Sequence, residues 1–148
     1  NKYFLILISF FVIYSCQFEW VEERRIFLKK IEFGLSVKDT FKQKSIKYFS
    51  QDSSNNNYIL NISNLKFKKK NFYGGSGARA QQIEIIGQLE YSFSDMTSNY
   101  GGKLEISGWI PVNENNPQAE MTAQQKMIEE LEFLLLEDLL QEYWLIES

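Results

Sequence analysis

Two stretches in the second half of the chain alternate between apolar and polar side chains. In the first, the apolar positions are Ile83, Ile85, Leu89, Tyr91 and Phe93, and the polar positions are Glu84, Gln88 and Glu90. In the second, Leu104, Ile106 and Ile110 alternate with Lys103, Glu105, Ser107 and Trp109. Side chains two residues apart share one face of a β-strand, so each pattern predicts a strand with one packed and one solvated face.

A further strand is predicted immediately before these two, in residues 58–73, YILNISNLKFKKKNFY. The segment GGSG at residues 74–77 follows it, and glycine adopts the backbone conformations of tight turns without steric cost. The segment SDMTSNYGG supplies a second glycine-containing turn before the last strand. Three successive strands joined by such turns predict an antiparallel meander.

Two other segments have helical periodicity. Residues 119–146 predict a long amphipathic helix whose entry is capped near Asn116, with Pro117 in its first turn. The positions that recur on its packed face are Met121, Gln124, Ile128, Leu131, Leu135, Leu139 and Tyr143. A shorter helix is predicted to begin at Val37, capped by Ser36, and to run to residue 51; Val37, Phe41, Lys44 and Tyr48 recur along it.

An apolar segment at residues 26–35, IFLKKIEFGL, predicts one more strand ahead of the short helix. The predicted order is therefore β-α-β-β-β-α. Two helices on one face of a roughly four-stranded antiparallel or mixed sheet make an α+β two-layer sandwich. At 148 residues the chain has the length of one domain, and we assign that domain to residues 26–148.

The N-terminal segment NKYFLILISFFVIYSC has one lysine, then an apolar run, then Ser15 before the single cysteine, Cys16. The run is too short to span a bilayer as a helix, and its layout is that of an export signal. IYSC resembles the end of a bacterial lipoprotein signal at Ile13, Ser15 and Cys16, whereas Tyr14 departs from the small or polar residue usual there.

This resemblance implies that residues 1–15 are a signal peptide and that Cys16 carries the lipid. Residues 16–25 are then a lipidated tether, and Gln17, which replaces the aspartate of inner-membrane retention signals, implies the outer membrane. Several acyl chains on one residue anchor a protein far better than one chain does. The alternatives are a hydrophobic first strand or helix with a buried cysteine, or an uncleaved membrane anchor.

Composition limits the chemistry. The formal net charge is -3, there is no histidine, and one cysteine cannot form an internal disulfide. Acidic neighbours such as Glu129 and Glu130, or Glu137 and Asp138, point in different directions on a helix and form no catalytic dyad. We therefore expect no enzyme activity, no cofactor, no metal site and no nucleic-acid partner.

One local charge cluster stands out against this mild balance. The basic residues around the first glycine turn are Lys66, Lys68, Lys69, Lys70 and Arg79. Five positive charges at one end of a hairpin could bind an anionic lipid headgroup through charge-assisted hydrogen bonds. They could equally be solvated lysines that keep a strand edge from aggregating. GGSG itself is interpreted as a flexible turn, because neither a lysine-threonine pair nor a helix start follows it.

The order of elements behind a lipoprotein signal is similar to that of the lipopolysaccharide-assembly lipoprotein family, LptE. The segments that carry the resemblance are GARAQQIEIIGQLEYSF and NNPQAEMTAQQKMIEELEFLLLEDLL, in which NPQA matches the family's entry to the last helix. Each segment is loose by itself, and their order carries the resemblance. Some members have a lysine early in this helix where Ala123 stands here, with Lys126 nearly one turn later.

The resemblance implies an outer-membrane lipoprotein that faces the periplasm. It would assist the assembly of the LptD barrel, plug the polar lumen of that barrel and bind lipopolysaccharide. The expected lipopolysaccharide-binding residues are Lys66, Lys68, Lys69, Lys70, Arg79 and Lys126. The alternative is a periplasm-facing lipoprotein module of another envelope assembly complex that shares only the fold. The three tryptophan and tyrosine positions Trp109, Trp144 and Tyr143 are expected to pack in the core or contact a barrel wall.

Overall fold

The computed structural model describes residues 25–52, 57–74, 80–112 and 115–147. Residues 1–15, which are predicted to be a signal peptide, Cys16, most of the predicted tether and Arg79 lie outside the described residues. The elements in chain order are β1 (Ile26–Leu28), β2 (Lys30–Phe33), α1 (Asp39–Tyr48), β3 (Phe49–Gln51), β4 (Ile59–Tyr73), β5 (Ala80–Ser94), β6 (Asn99–Pro111) and α2 (Pro117–Glu147).

Strands β4, β5 and β6 form the predicted antiparallel meander, and β2 joins it in parallel, which gives a mixed sheet of order β2-β4-β5-β6. Strands β1 and β3 pair in parallel as a separate two-stranded sheet. The α+β sandwich is confirmed, with both helices packed on one face of the sheet. No helix among the described residues covers the other face, which we call the open face.

The core between the layers contains the apolar positions that the alternation and the helical periodicity indicated. Phe93, Leu89 and Ile85 of β5 are buried, as are Leu135 and Leu139 of α2. Burying a side chain of this size contributes about 1.5–3 kcal/mol each, so these positions hold α2 on the sheet. Within the ranges that the structure describes, no helix is both long and apolar enough to cross a membrane.

The long helix begins as predicted. The backbone N–H of Ala119 donates to the side-chain oxygen of Asn116 at 3.0 Å, which caps the helix, and Pro117 is its first residue. The predicted packed face is wrong at its start, because Met121 is 70% exposed and the packing against the sheet begins with Ala123 and Met127.

The first third of the chain differs from the prediction. Residues 26–35 form two strands in two different sheets, because the pairing with β3 ends at Leu28 and the pairing with β4 begins at Lys30. The shorter helix begins at Asp39 and its N-cap, Lys38, has no side-chain cap bond. Ser36 instead donates to the Asn64 side chain at 2.9 Å, so it fastens the turn to β4.

The shorter helix also ends earlier than predicted. Phe49 takes up an extended conformation and starts β3, where it is fully buried. The backbone N–H of Phe49 donates to the carbonyl of Ser45, which closes the last turn. A large aromatic side chain at this point is better buried by the parallel pair with β1 than by a further helical turn.

Candidate functional site

A β-bulge decides which way the lysines of β4 point. Before it, the even-numbered Leu60 and Ile62 are buried, and after it the odd-numbered Leu65 is buried. The bulge lies between Ile62 and Asn64 in the register with β5. Because one extra residue exchanges the two faces of a strand, the even-numbered residues beyond it lie on the open face.

Three lysines therefore form a row on the open face of the sheet, which we call the open-face lysine row: Lys66, Lys68 and Lys70. All three side chains are exposed. Successive members lie about 7 Å apart and the row spans about 13 Å, from the rise per residue of a strand. With this spacing, one large anion can contact several ammonium groups at once.

The other expected binding residues lie elsewhere. Lys69 points to the helix side, where its ammonium group lies 3.9 Å from the carboxylate of Glu120 on α2. Lys126 is exposed on α2, which belongs to the helix layer. The structure thus divides the four lysines of β4 between the two faces of the sheet and does not bring Lys126 to the open-face lysine row.

An aromatic pair ends the open-face lysine row. The rings of Phe72 on β4 and Trp109 on β6 have their centroids 4.6 Å apart, and the ammonium group of Lys70 lies 4.7 Å from the centre of the Phe72 ring. Trp109 is 47% exposed, so the pair presents apolar surface to solvent beside a cation. Of the two expectations for Trp109, packing in the core or lying on a contact surface, its exposure excludes the first.

The sequence contained a signal for this arrangement. Leu60 and Ile62 are two residues apart, as are Leu65 and Phe67, but the two pairs are out of phase with each other. That break in the alternation indicates a bulge. Once the bulge is placed, Lys66, Lys68, Lys70 and Phe72 fall on one face, and Trp109 already lay on the polar face of its strand.

Carboxylates on β5 and β6 border the lysine row. Glu84 is the cross-strand neighbour of both Lys70 and Trp109. Gln88, opposite Lys66, donates to the carboxylate of Glu105 on β6. The positive charge of the open face is therefore concentrated along β4, at the side of the sheet remote from β6.

The opposite end of the core is aromatic and has a structural role. Tyr143 of α2 is buried between Phe93, at 5.5 Å between ring centroids, and Tyr58, at 6.0 Å. The hydroxyl group of Tyr91 donates a hydrogen bond to the carboxylate of Glu142 at 2.7 Å. Burial raises the pKa of Tyr91 far above its ordinary value, and the nearby carboxylate raises it further, so this hydroxyl stays a donor. The cluster fastens α2 to the sheet.

Comparison with known proteins finds relatives in structure only. No family model matches the chain, and no curated protein matches it in sequence. The rare lipoprotein B from Shewanella oneidensis has a similar structure, with a TM-score of 0.65 and 12% identity over 80% of this chain and 96% of that one.

Two further solved structures have the same fold. The minor lipoprotein from Acinetobacter baumannii has a TM-score of 0.60 and 11% identity over 79% of this chain and 91% of that one. The uncharacterized lipoprotein B from Nitrosomonas europaea has a TM-score of 0.60 and 8% identity over 79% and 84%. The domain therefore has a fold that these small bacterial lipoproteins share.

Proposed function

We propose that this chain is an outer-membrane lipoprotein of the LptE type. It assists the assembly of an LptD-like barrel, plugs that barrel, and binds lipopolysaccharide during insertion in the outer leaflet. The fold shared with three bacterial lipoproteins supports a role in the envelope. The lipoprotein-like IYSC segment supports attachment through Cys16. The observation that carries the lipid-binding part is the open-face lysine row with its aromatic end.

Lipopolysaccharide combines phosphates, sugars and acyl chains, and the open face presents groups for more than one of these parts. Lys66, Lys68 and Lys70 provide donors for phosphate oxygens. The exposed Trp109, paired with the partly buried Phe72, provides an apolar surface next to Lys70 for a sugar face or an acyl chain. Lys69 points to the helix side of the sheet, toward Glu120, so we leave it out of the binding face.

The lysines of β4 also have the second role that the sequence allowed. Strand β2 pairs only with Ile59–Ile62, so from Lys66 onward β4 pairs with β5 on one side and has no described strand on the other. Lysines on such an edge oppose pairing with another chain. Both roles use the same residues, and a binding measurement separates them.

The test of lipid binding is charge reversal with a matched control. The full chain in detergent, with Lys66, Lys68 and Lys70 replaced by glutamate, should bind lipopolysaccharide at least about tenfold more weakly, because three charge-assisted contacts become repulsive. The control replaces the exposed Lys29, Lys38 and Lys47 by glutamate, which changes the net charge equally at positions outside β4. Equal binding by both triple variants would assign the row to edge protection alone.

The test of the barrel partnership is co-purification from solubilised membranes. The chain should be recovered with an outer-membrane barrel protein, and removal of the chain should impair folding of that barrel. Recovery without a barrel, while the barrel folds normally, would overturn this part of the proposal. If the chain is instead recovered with a different envelope complex, the alternative is favoured, in which the chain is a lipoprotein module of that other complex.

The test of lipid attachment is mass spectrometry of the mature N-terminus. We expect Cys16 to be the first residue and to carry acyl groups, and Cys16→Ser should release the protein from the membrane fraction. An unmodified cysteine still joined to Ser15 would overturn the assignment of residues 1–15 as a signal peptide.

A further inference from the structure

Strand β6 is a long edge of the sheet. It contains 13 residues and pairs with β5 on one side, while its other side has no strand beside it among the described residues. The register with β5 runs from Pro111 to Asn99 without a shift. Alternate residues of such an edge direct their backbone N–H and C=O groups outward, where they can pair with a further strand.

The two free edges of the sheet are protected very differently. The free part of β4 follows a bulge and carries Lys66, Lys68, Lys69 and Lys70. Strand β6 has no bulge, one lysine at Lys103, and a proline only at its last residue, Pro111. Bulges, lysines and prolines are the features that keep edge strands apart, so β6 is the edge that remains open to pairing.

The sequence of β6 is complementary to itself when it is reversed about Leu104. In an antiparallel pair centred there, Lys103 lies opposite Glu105 of the second copy and Glu105 lies opposite its Lys103. Within one copy the Lys103 ammonium group lies 3.5 Å from the Glu105 carboxylate, and both side chains are about half exposed, at 46% and 52%, so each can also reach the opposite charge of the second copy. Small residues face larger ones as well: Gly101 faces Ser107, Gly102 faces Ile106, and Gly108 faces Tyr100.

We propose that β6 pairs antiparallel with β6 of a second copy of this chain, about a two-fold axis at Leu104. The axis stands perpendicular to the sheet, so the two sheets join into one of eight strands with the helices of both copies on the same face. The interface is one strand pair over residues 99–109, so the dimer is weak and depends on protein concentration. The pairing uses β6 and not the open-face lysine row, so it does not rest on the proposed function.

Sedimentation velocity of the full chain in detergent tests this pairing over a range of protein concentrations. The unchanged chain should shift from monomer to dimer as concentration rises. Lys103→Glu alone and Glu105→Lys alone should each raise the dimer dissociation constant at least about tenfold, because each creates two like-charge pairs across the axis. The combined swap restores both opposite-charge pairs and should restore the dimer.

Lys47→Glu is the matched control, because it changes the net charge as Lys103→Glu does but lies on α1, exposed and outside the sheet. It should leave the dimer unchanged. Hydrogen exchange adds a second readout: the backbone amides of β6 should become more protected as the protein concentration rises. A chain that stays monomeric, or a dimer that is insensitive to the swaps at Lys103 and Glu105, would overturn the proposal.

Discussion

Lys44 on α1 donates a hydrogen bond across 2.6 Å to the carboxylate of Glu132 on α2, and this ion pair links the two helices. The two partners are in different surroundings, since the Lys44 side chain is 36% exposed and the Glu132 side chain only 6%. Water can therefore hydrate the ammonium group but hardly reaches the carboxylate. The cost of losing one partner should depend on which partner is lost.

Lys44→Met should destabilise the domain by about 2–4 kcal/mol, because it leaves the buried carboxylate of Glu132 without its partner. The double variant Lys44→Met, Glu132→Leu removes both charges and should recover most of that loss, since an apolar pair fits a buried contact. Chemical denaturation monitored by circular dichroism measures both free energies of unfolding.

Lys42→Met is the control for this prediction, because Lys42 pairs with the exposed Asp39 on the same helix at 2.8 Å. Its effect should be much smaller, since exposed pairs contribute little. If Lys44→Met costs no more than Lys42→Met, or if the double variant is no better than the single one, the ion pair does not hold the helices together.

The elements that the sequence predicted correctly are those with long, uniform patterns. Strands β5 and β6 alternate over 15 and 13 residues, and α2 repeats its apolar positions over 31 residues, so each pattern contains many repeats. Strands β1, β2 and β3 have three or four residues each. A segment that short has no readable period, and its strand partner is chosen by the tertiary fold.

The sequence indicated which residues form the candidate site, but it did not indicate how they are arranged in space. The lysines near residues 66–70 were evident as a cluster, but the bulge between Ile62 and Asn64 determines that Lys69 points to the helix side and its neighbours to the open face. The pairing of Phe72 with Trp109 depends on the register across three strands, which local sequence does not specify. Arg79 and Cys16 lie outside the described residues, so their roles stay predictions.

Tyr91 and Gly102 should show coupled effects on stability. Tyr91→Phe should cost about 1 kcal/mol, because it removes the hydrogen bond to Glu142. Gly102→Ala should also destabilise, since a methyl group there would lie 3.0 Å from the Tyr91 hydroxyl oxygen. In the double variant the hydroxyl is absent, so the alanine should cost less than it does beside tyrosine. Strictly additive free energies of unfolding would contradict this contact.

Gly34 should tolerate alanine far less well than Gly74. A methyl group at Gly34 would overlap the backbone carbonyl of Ser63, which β4 holds in place, so Gly34→Ala should cost about 1–3 kcal/mol. A methyl group at Gly74 meets only the side chain of Gln81, which can rotate away. Thermal unfolding of the two variants makes the comparison, and equal melting temperatures would show that the chain near Gly34 moves freely.

Asp95 shapes the turn between β5 and β6, and it should make the stability of the fold depend on pH. Its carboxylate accepts hydrogen bonds from the backbone N–H groups of Thr97 and Ser98, at 2.7 and 2.6 Å, and from both hydroxyls. The backbone donors of Thr97 and Ser98, chiefly, lower the pKa of Asp95 from 3.8 to about 2. Because the pKa of Asp95 is lower in the folded chain than in the unfolded chain, its carboxylate stabilises the fold at pH values above the unfolded-state pKa. This contribution is lost as the pH falls from near 4 through about 2.

Asp95→Ala should therefore be less stable than the unchanged chain at neutral pH, and the difference should shrink across that window. Carboxyl NMR titration should give Asp95 a pKa near 2 in the folded chain, and an ordinary value would show that the turn is not held by this side chain.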